Sequence, residues 1–209
     1  MAYYTVVTVN EDLARYQNLV PRYWDWIFTE NCDANRKFKD ITFLRDDCFG
    51  DPITLVAGYD YSLPEKYNYQ EIDISEGTDI FFPVYHAHIC DVDRVVNGDI
   101  NQCGRVADQD LANLYHRWAT IKINNGQSVD ITPNFKDHEI KVGPFKQKVN
   151  RDNDLRKEVG LYLGPGEYNC VAHGAYILMK NLQKATYELD FGGLATNFRT
   201  RSIYNMTVS

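Results

Sequence analysis

The sequence predicts a mainly β protein, an antiparallel β-sandwich or jelly roll with two or three flanking helices, organised as one domain over residues 1–209. Three observations carry that reading. Aromatic residues make up 13% of the chain, 15 of them Tyr, and such side chains suit the pleated, half-buried surface of a sheet. The last quarter presents short apolar runs at close spacing with glycine-containing turns between them, the pattern of hairpin-connected strands. Upstream, Asn124-Asn125-Gly126-Gln127 separates two alternating segments, and Asn and Gly accept the positive dihedrals of a tight turn.

In chain order, Val6 to Val9 is a short apolar segment, and Asn10-Glu11-Asp12 supplies a cap and acids for a helix over about 10–28. Leu13, Tyr16, Val20, Tyr23, Trp24 and Ile27 give it one apolar face, and Pro21 is expected to kink it or to start a second helix. Glu30 to Asp47 is polar and mixed in sign, so it reads as a solvated loop. Ile53 to Gly58 reads as a strand, Tyr59 to Gln70 as a tyrosine-rich connection, and Glu71-Ile72-Asp73-Ile74 as a half-exposed strand turned by Ser75-Glu76-Gly77. The polar stretch around Asn97-Gly98-Asp99 lacks the spacing of a calcium loop. Leu111, Leu114, Tyr115 and Trp118 predict a helix over about 108–118. Ile121 to Ile123, Val129 to Ile131 and Glu139 to Val142 read as strands, and Lys146 to Lys157 as an exposed loop. Four strands are expected at Gly160–Gly164, Cys170–Met179, Thr186–Phe191 and Ser202–Val208.

Composition sets the outer limits. The 209 residues can bury a sizeable core, and fractions of 44% hydrophobic and 24% charged are those of a globular protein. A net charge of −7 argues against nucleic acid as a partner, because phosphate binding needs a basic surface. Without a basic region ahead of a long apolar run, neither signal peptide nor membrane span is expected, and the expected location is cytoplasmic. Cys32, Cys48, Cys90, Cys103 and Cys170 are odd in number and irregular in spacing, so they are expected as reduced thiols rather than as a disulfide framework or a CxxC zinc site.

The densest chemistry lies in Gly77 to Asp93. Its apolar, aromatic body reads as a buried strand that ends in His86, His88, Cys90, Asp91 and Asp93. His86 and His88 are two apart, so both imidazoles leave an extended strand on one face and can share an ion. The candidate third ligands are His173, Asp91, Asp93 and Glu167, and such nitrogen and oxygen donors suit zinc, iron or manganese. Cys90 beside His88 is a weaker candidate for an activated thiol nucleophile. Tyr85 and Tyr176, close in sequence to these histidines, are the candidate ligand-binding aromatics, since tyrosine joins an apolar ring to a hydroxyl.

Gly166-Glu167-Tyr168-Asn169-Cys170 through Leu182, followed by Thr186-Tyr187-Glu188-Leu189-Asp190-Phe191-Gly192-Gly193, resembles the C-terminal pattern of an uncharacterised, mostly bacterial and often exported β-rich family. Its members end in a Gly-aromatic strand, a Pro-Leu-Pro-Pro-Gly-Lys-His turn and a Thr-Ile-x-Phe-x-Gly strand. Trp24-Asp25-Trp26, Leu55-Val56-Ala57-Gly58 and Gly77 to Pro83 stand in the order of three further motifs of that family. Asn181-Leu182-Gln183-Lys184-Ala185 departs from it by lacking the prolines and turn glycine. The resemblance implies a β-rich single domain and carries no catalytic residue.

His86-Ala87-His88 with Asp93, Gly164-Pro165-Gly166 and His173 also resembles parts of the cupin metal pattern, with Asp in place of Glu and different spacings. The functional expectation is a binding or assembly domain for a metal, a polar small molecule or a protein partner. The alternative is a cupin-like metal-dependent enzyme using His86, His88 and His173. A homo-oligomer that pairs exposed strand edges is a third expectation.

Overall fold

The computed structural model describes residues 3–29, 41–43, 68–92, 98–112, 114–131, 134–149, 165–195 and 198–209. Within them, period-two alternation builds two five-stranded sheets. The first sheet has the order β1 (Thr5–Val7), β8 (Gly166–Lys180), β4 (Asp79–Cys90) and β2 (Ile41–Phe43). β7 (Glu139–Val149) lies on the same edge of β8 as β1, further along the strand. The second sheet runs β3 (Asn68–Ile74), β10 (Phe198–Val208), β9 (Ala185–Ala195), β5 (Leu114–Ile123) and β6 (Ser128–Asp130). The protein is mainly β, a sandwich with flanking helices. Both sheets are mixed rather than purely antiparallel, because the edge strands β2 and β3 run parallel to β4 and β10.

Apolar residues two apart close the sandwich. Ile80, Phe82 and Val84 of β4 and Ile177 and Met179 of β8 meet Tyr187, Leu189 and Phe191 of β9 and Tyr204, Met206 and Val208 of β10. Phe82 and Phe191 touch with ring centroids 4.5 Å apart. The hairpin expected at Asn124-Asn125 forms between β5 and β6, with φ of 47° and 58° at the two asparagines.

The outer face of the first sheet is covered by α1 (Leu13–Thr29). Asp12 caps it by accepting the Arg15 backbone N–H at 3.3 Å, and the other oxygen of the Asp12 carboxylate holds Lys180 at 2.8 Å. Tyr16, Leu19, Val20, Tyr23 and Trp24 form its buried stripe. The helix runs through Pro21 without dividing. A proline inside a helix costs about 3 kcal/mol, and the aromatic and aliphatic groups buried on both sides of Pro21 offset it.

The helix expected over about 108–118 lies elsewhere. α2 spans Ile100–Ala112, capped by Asp99, whose carboxylate accepts the Asn101 N–H at 2.9 Å. Cys103, Gly104, Ala107 and Leu111 are its buried positions. Leu114–Ile123 is strand β5, paired with β9. Three further segments differ from expectation: Ile41–Phe43, inside the expected loop, is strand β2; β3 begins at Asn68, inside the connection expected over Tyr59–Gln70; and β7 extends through Lys146 to Val149. The expected strands at 53–58 and 160–164, residues 59–67 of the connection expected over 59–70, and Cys32, Cys48 and Asp93 lie outside the described residues. Among the described residues no helix is long and apolar enough to cross a membrane.

Candidate functional site

The register between β4 and β8 decides where the sequence candidates go. His86 stands opposite Gly174, Ala87 opposite His173, His88 opposite Ala172 and Cys90 opposite Cys170. Side chains of directly opposed residues share a face. His86, His88, Cys90 and Cys170 therefore face α1, while His173 shares the opposite face with Ala87. The sheet separates His173 from the His86–His88 pair, so the three imidazoles cannot meet at one ion.

On the α1 side, aromatic rings enclose the histidine pair. Trp24 stacks on His88 with centroids 4.2 Å apart and meets His86 edge-on at 4.6 Å. Phe28 lies 5.1 Å and Phe145 6.0 Å from the His88 ring. Tyr176 stacks on Phe81 and accepts the Trp24 indole N–H at 3.2 Å. Gly174 makes room for His86: a Cβ there would sit 2.8 Å from both the Cα and the Cβ of His86. Part of His88 reaches the surface. Its ring is nonetheless desolvated, and burial first, with His86 as a lesser cause, pushes its pKa down to about 3.

Beyond His88 the same face carries a disulfide between Cys90 and Cys170, which corrects the expectation of reduced thiols and removes Cys90 as a free nucleophile in this state. Cys103, a buried residue of α2, lies outside that disulfide. Sγ of Cys90 lies 3.9 Å from Nδ1 and 4.0 Å from Nε2 of His88. One donor atom from each of His88, Cys90 and Cys170 falls within 4.8 Å of the others. The two cysteines were not expected as ligands, and only the register of β8 against β4 brings them together.

The opposite face binds its residues to α2. His173 Nδ1 lies 2.7 Å from Asp108 Oδ1 and Nε2 3.2 Å from Glu139 Oε1, so both ring nitrogens are engaged by carboxylates. Lys141 holds Asp108 at 2.9 Å and donates to the Gly104 carbonyl at 2.8 Å, and Arg117 reaches Glu139 at 3.4 Å. The Tyr85 hydroxyl donates to the Asp110 carbonyl at 3.0 Å, and burial, followed by the Asp110 charge, pushes its pKa up to about 12. Tyr85 and Tyr176 thus sit on opposite faces and do not line one site. Glu167 is an exposed partner of Lys146 at 3.3 Å and lies six residues along β8 from His173, roughly 20 Å on an extended chain. Asp91 closes the strand end by accepting the Asn169 side-chain amide at 2.7 Å.

The buried neutral imidazoles make stability depend on acid. His88 binds a proton near pH 6.5 when unfolded and only near pH 3 when folded, so its contribution is complete above that window and is lost as pH falls through it. His138, also lowered by burial, acts in the same direction. Urea midpoints are expected to fall between about pH 7.5 and about pH 5, and His88→Phe to flatten that fall. A midpoint independent of pH would contradict the burial of these rings.

No protein-family model and no curated protein matches the chain. Among solved structures it is similar to a chain described as "Structure of PbICP-C in complex with falcipain-2", at 9% identity and a TM-score of 0.23, covering 80% of this chain and 98% of that one. A likeness of that size assigns neither fold nor activity.

Proposed function

We propose that this protein is a binding domain for a single transition-metal ion, seated on the α1 face of the first sheet with His88 as its imidazole ligand, rather than a cupin-like enzyme built on His86, His88 and His173. The observation that carries the reading is the convergence of His88 with the sulfurs of Cys90 and Cys170 within 4.8 Å, which become donors once that disulfide is reduced. The cupin-like set lacks this support, because His173 faces α2 with both nitrogens engaged. The acidic surface favours a small cation or a basic partner over nucleic acid.

Protein purified under reducing conditions without a metal-affinity tag, then supplied with zinc and desalted, is expected to carry about one ion per chain by elemental analysis. His88→Ala is expected to lose that ion and His173→Ala to keep it. Protein that stays metal-free would overturn the reading. Equal loss in both variants would also overturn it, because His173 lies on the other face of the sheet from His88.

A further inference from the structure

We infer that the Cys90–Cys170 disulfide is a gate: its reduction by a dithiol creates a site for one zinc-type ion held by the two thiolates and a His88 ring nitrogen, and its reoxidation by a small-molecule disulfide, which takes up the two electrons and with two protons becomes two thiols, expels that ion. This rests on the reading that the α1 face binds a metal, and adds to it the redox switch.

Geometry supports the set. Tetrahedral zinc with Zn–S near 2.3 Å and Zn–N near 2.0 Å places its sulfurs about 3.8 Å apart and each sulfur about 3.5 Å from the nitrogen. Cys90 and Cys170 are directly opposed with Cα atoms 4.0 Å apart, so two unbonded sulfurs at van der Waals distance need little movement of the backbone. His88 already stands 3.9 Å from the Cys90 sulfur, two residues along the same strand face. Trp24 and Phe145 hold its ring in place, as the surroundings of a metal ligand should. Two soft thiolates narrow the choice of ion towards zinc and away from manganese. Three protein ligands leave the fourth position to water or to the polar group of a ligand.

The chemistry balances with a dithiol as reductant. The dithiol supplies two electrons and two protons, the S–S bond breaks, two cysteine thiols form, and the dithiol becomes its own disulfide. The divalent ion then displaces the two thiol protons and takes the His88 lone pair. Both cysteines are fully buried and Cys90 ends β4, so the reductant reaches them when that strand end opens locally and the Asp91–Asn169 contact is released. Cys103 cannot substitute, because it packs on Val171 on the other face.

The test compares the wild-type chain with itself, so no variant has to fold. Zinc, and cobalt as its coloured stand-in, are titrated into fully reduced and fully oxidised protein. Reduced protein is expected to bind one equivalent and to show a thiolate-to-cobalt charge-transfer band. Oxidised protein is expected to bind more weakly by more than the roughly 100-fold that loss of a supporting partner costs. Cys103→Ser should leave both results unchanged. Equal affinity in the two redox states, or binding without the charge-transfer band, would overturn the gate while leaving a metal site on this face. No binding in either state would overturn both.

Discussion

Reduction of the Cys90–Cys170 bond in the presence of a chelator is expected to lower the unfolding free energy by about 4.5 kcal/mol, judged from the entropy of the closed loop. The two residues are 80 apart in sequence, so the cross-link removes a large loop from the unfolded ensemble. It joins β4 to β8, the pair at the centre of the first sheet, in a position shielded from water. Urea unfolding of oxidised and reduced wild type gives the difference directly, and a larger denaturant slope in the reduced form would report the more expanded unfolded chain. A Cys90→Ala and Cys170→Ala double variant should match the reduced protein to within the cost of two small cavities. A difference below about 1 kcal/mol would mean that the pair adds no constraint beyond the sheet itself. Adding zinc to the reduced protein should restore much of the loss, since an ion held by both sulfurs and His88 closes the same loop.

Much of the fold is legible because alternation has a single physical meaning. Ile80-Phe82-Val84, Tyr187-Leu189-Phe191 and Tyr204-Met206-Val208 each turn three apolar groups to one side, and those sides are the two inner walls of the sandwich. The segment around Leu111 to Trp118 is harder, since Leu111, Leu114, Tyr115 and Trp118 also fit helical spacing. What settles it is the partner. β9 supplies a full ladder to β5, and Trp118 donates to Asp190 at 2.9 Å from the strand. A signal for the true helix was present in Asp99, a capping residue followed by Ile100, Cys103, Ala107 and Leu111 at helical intervals.

The site was half legible. That His86 and His88 share a face follows from their spacing alone, and they do. Which face His173 takes depends on register, and a slip of one residue would have brought all three rings together. Register here is fixed by apolar neighbours in β8, Ile177 and Met179 towards the second sheet and Tyr176 and Leu178 towards α1, and by the irregularity between Pro83 and Tyr85 in β4. The pairing of Cys90 with Cys170 is another product of that register, so a separation of 80 residues could not announce it.

Trp24→Ala is expected to cost about 3–5 kcal/mol, the range for deleting a large buried aromatic side chain. Trp24 is 5% exposed and touches both histidines and Phe28, and its N–H is the donor to the Tyr176 hydroxyl at 3.2 Å. Truncation leaves a cavity between α1 and the sheet, a phenol without that donor, and a His88 ring with no stacking partner on that side. Trp24→Phe keeps an aromatic plane and loses the N–H, so it should cost less, on the order of 1–2 kcal/mol. The decisive reading is the His88 titration followed by NMR. Water admitted beside the ring should raise its pKa from about 3 towards the ordinary value in the alanine variant, and much less in the phenylalanine variant. An unchanged His88 titration in a folded Trp24→Ala protein would show that other groups desolvate the ring, and that Trp24 does not position the ligand on which the metal site depends.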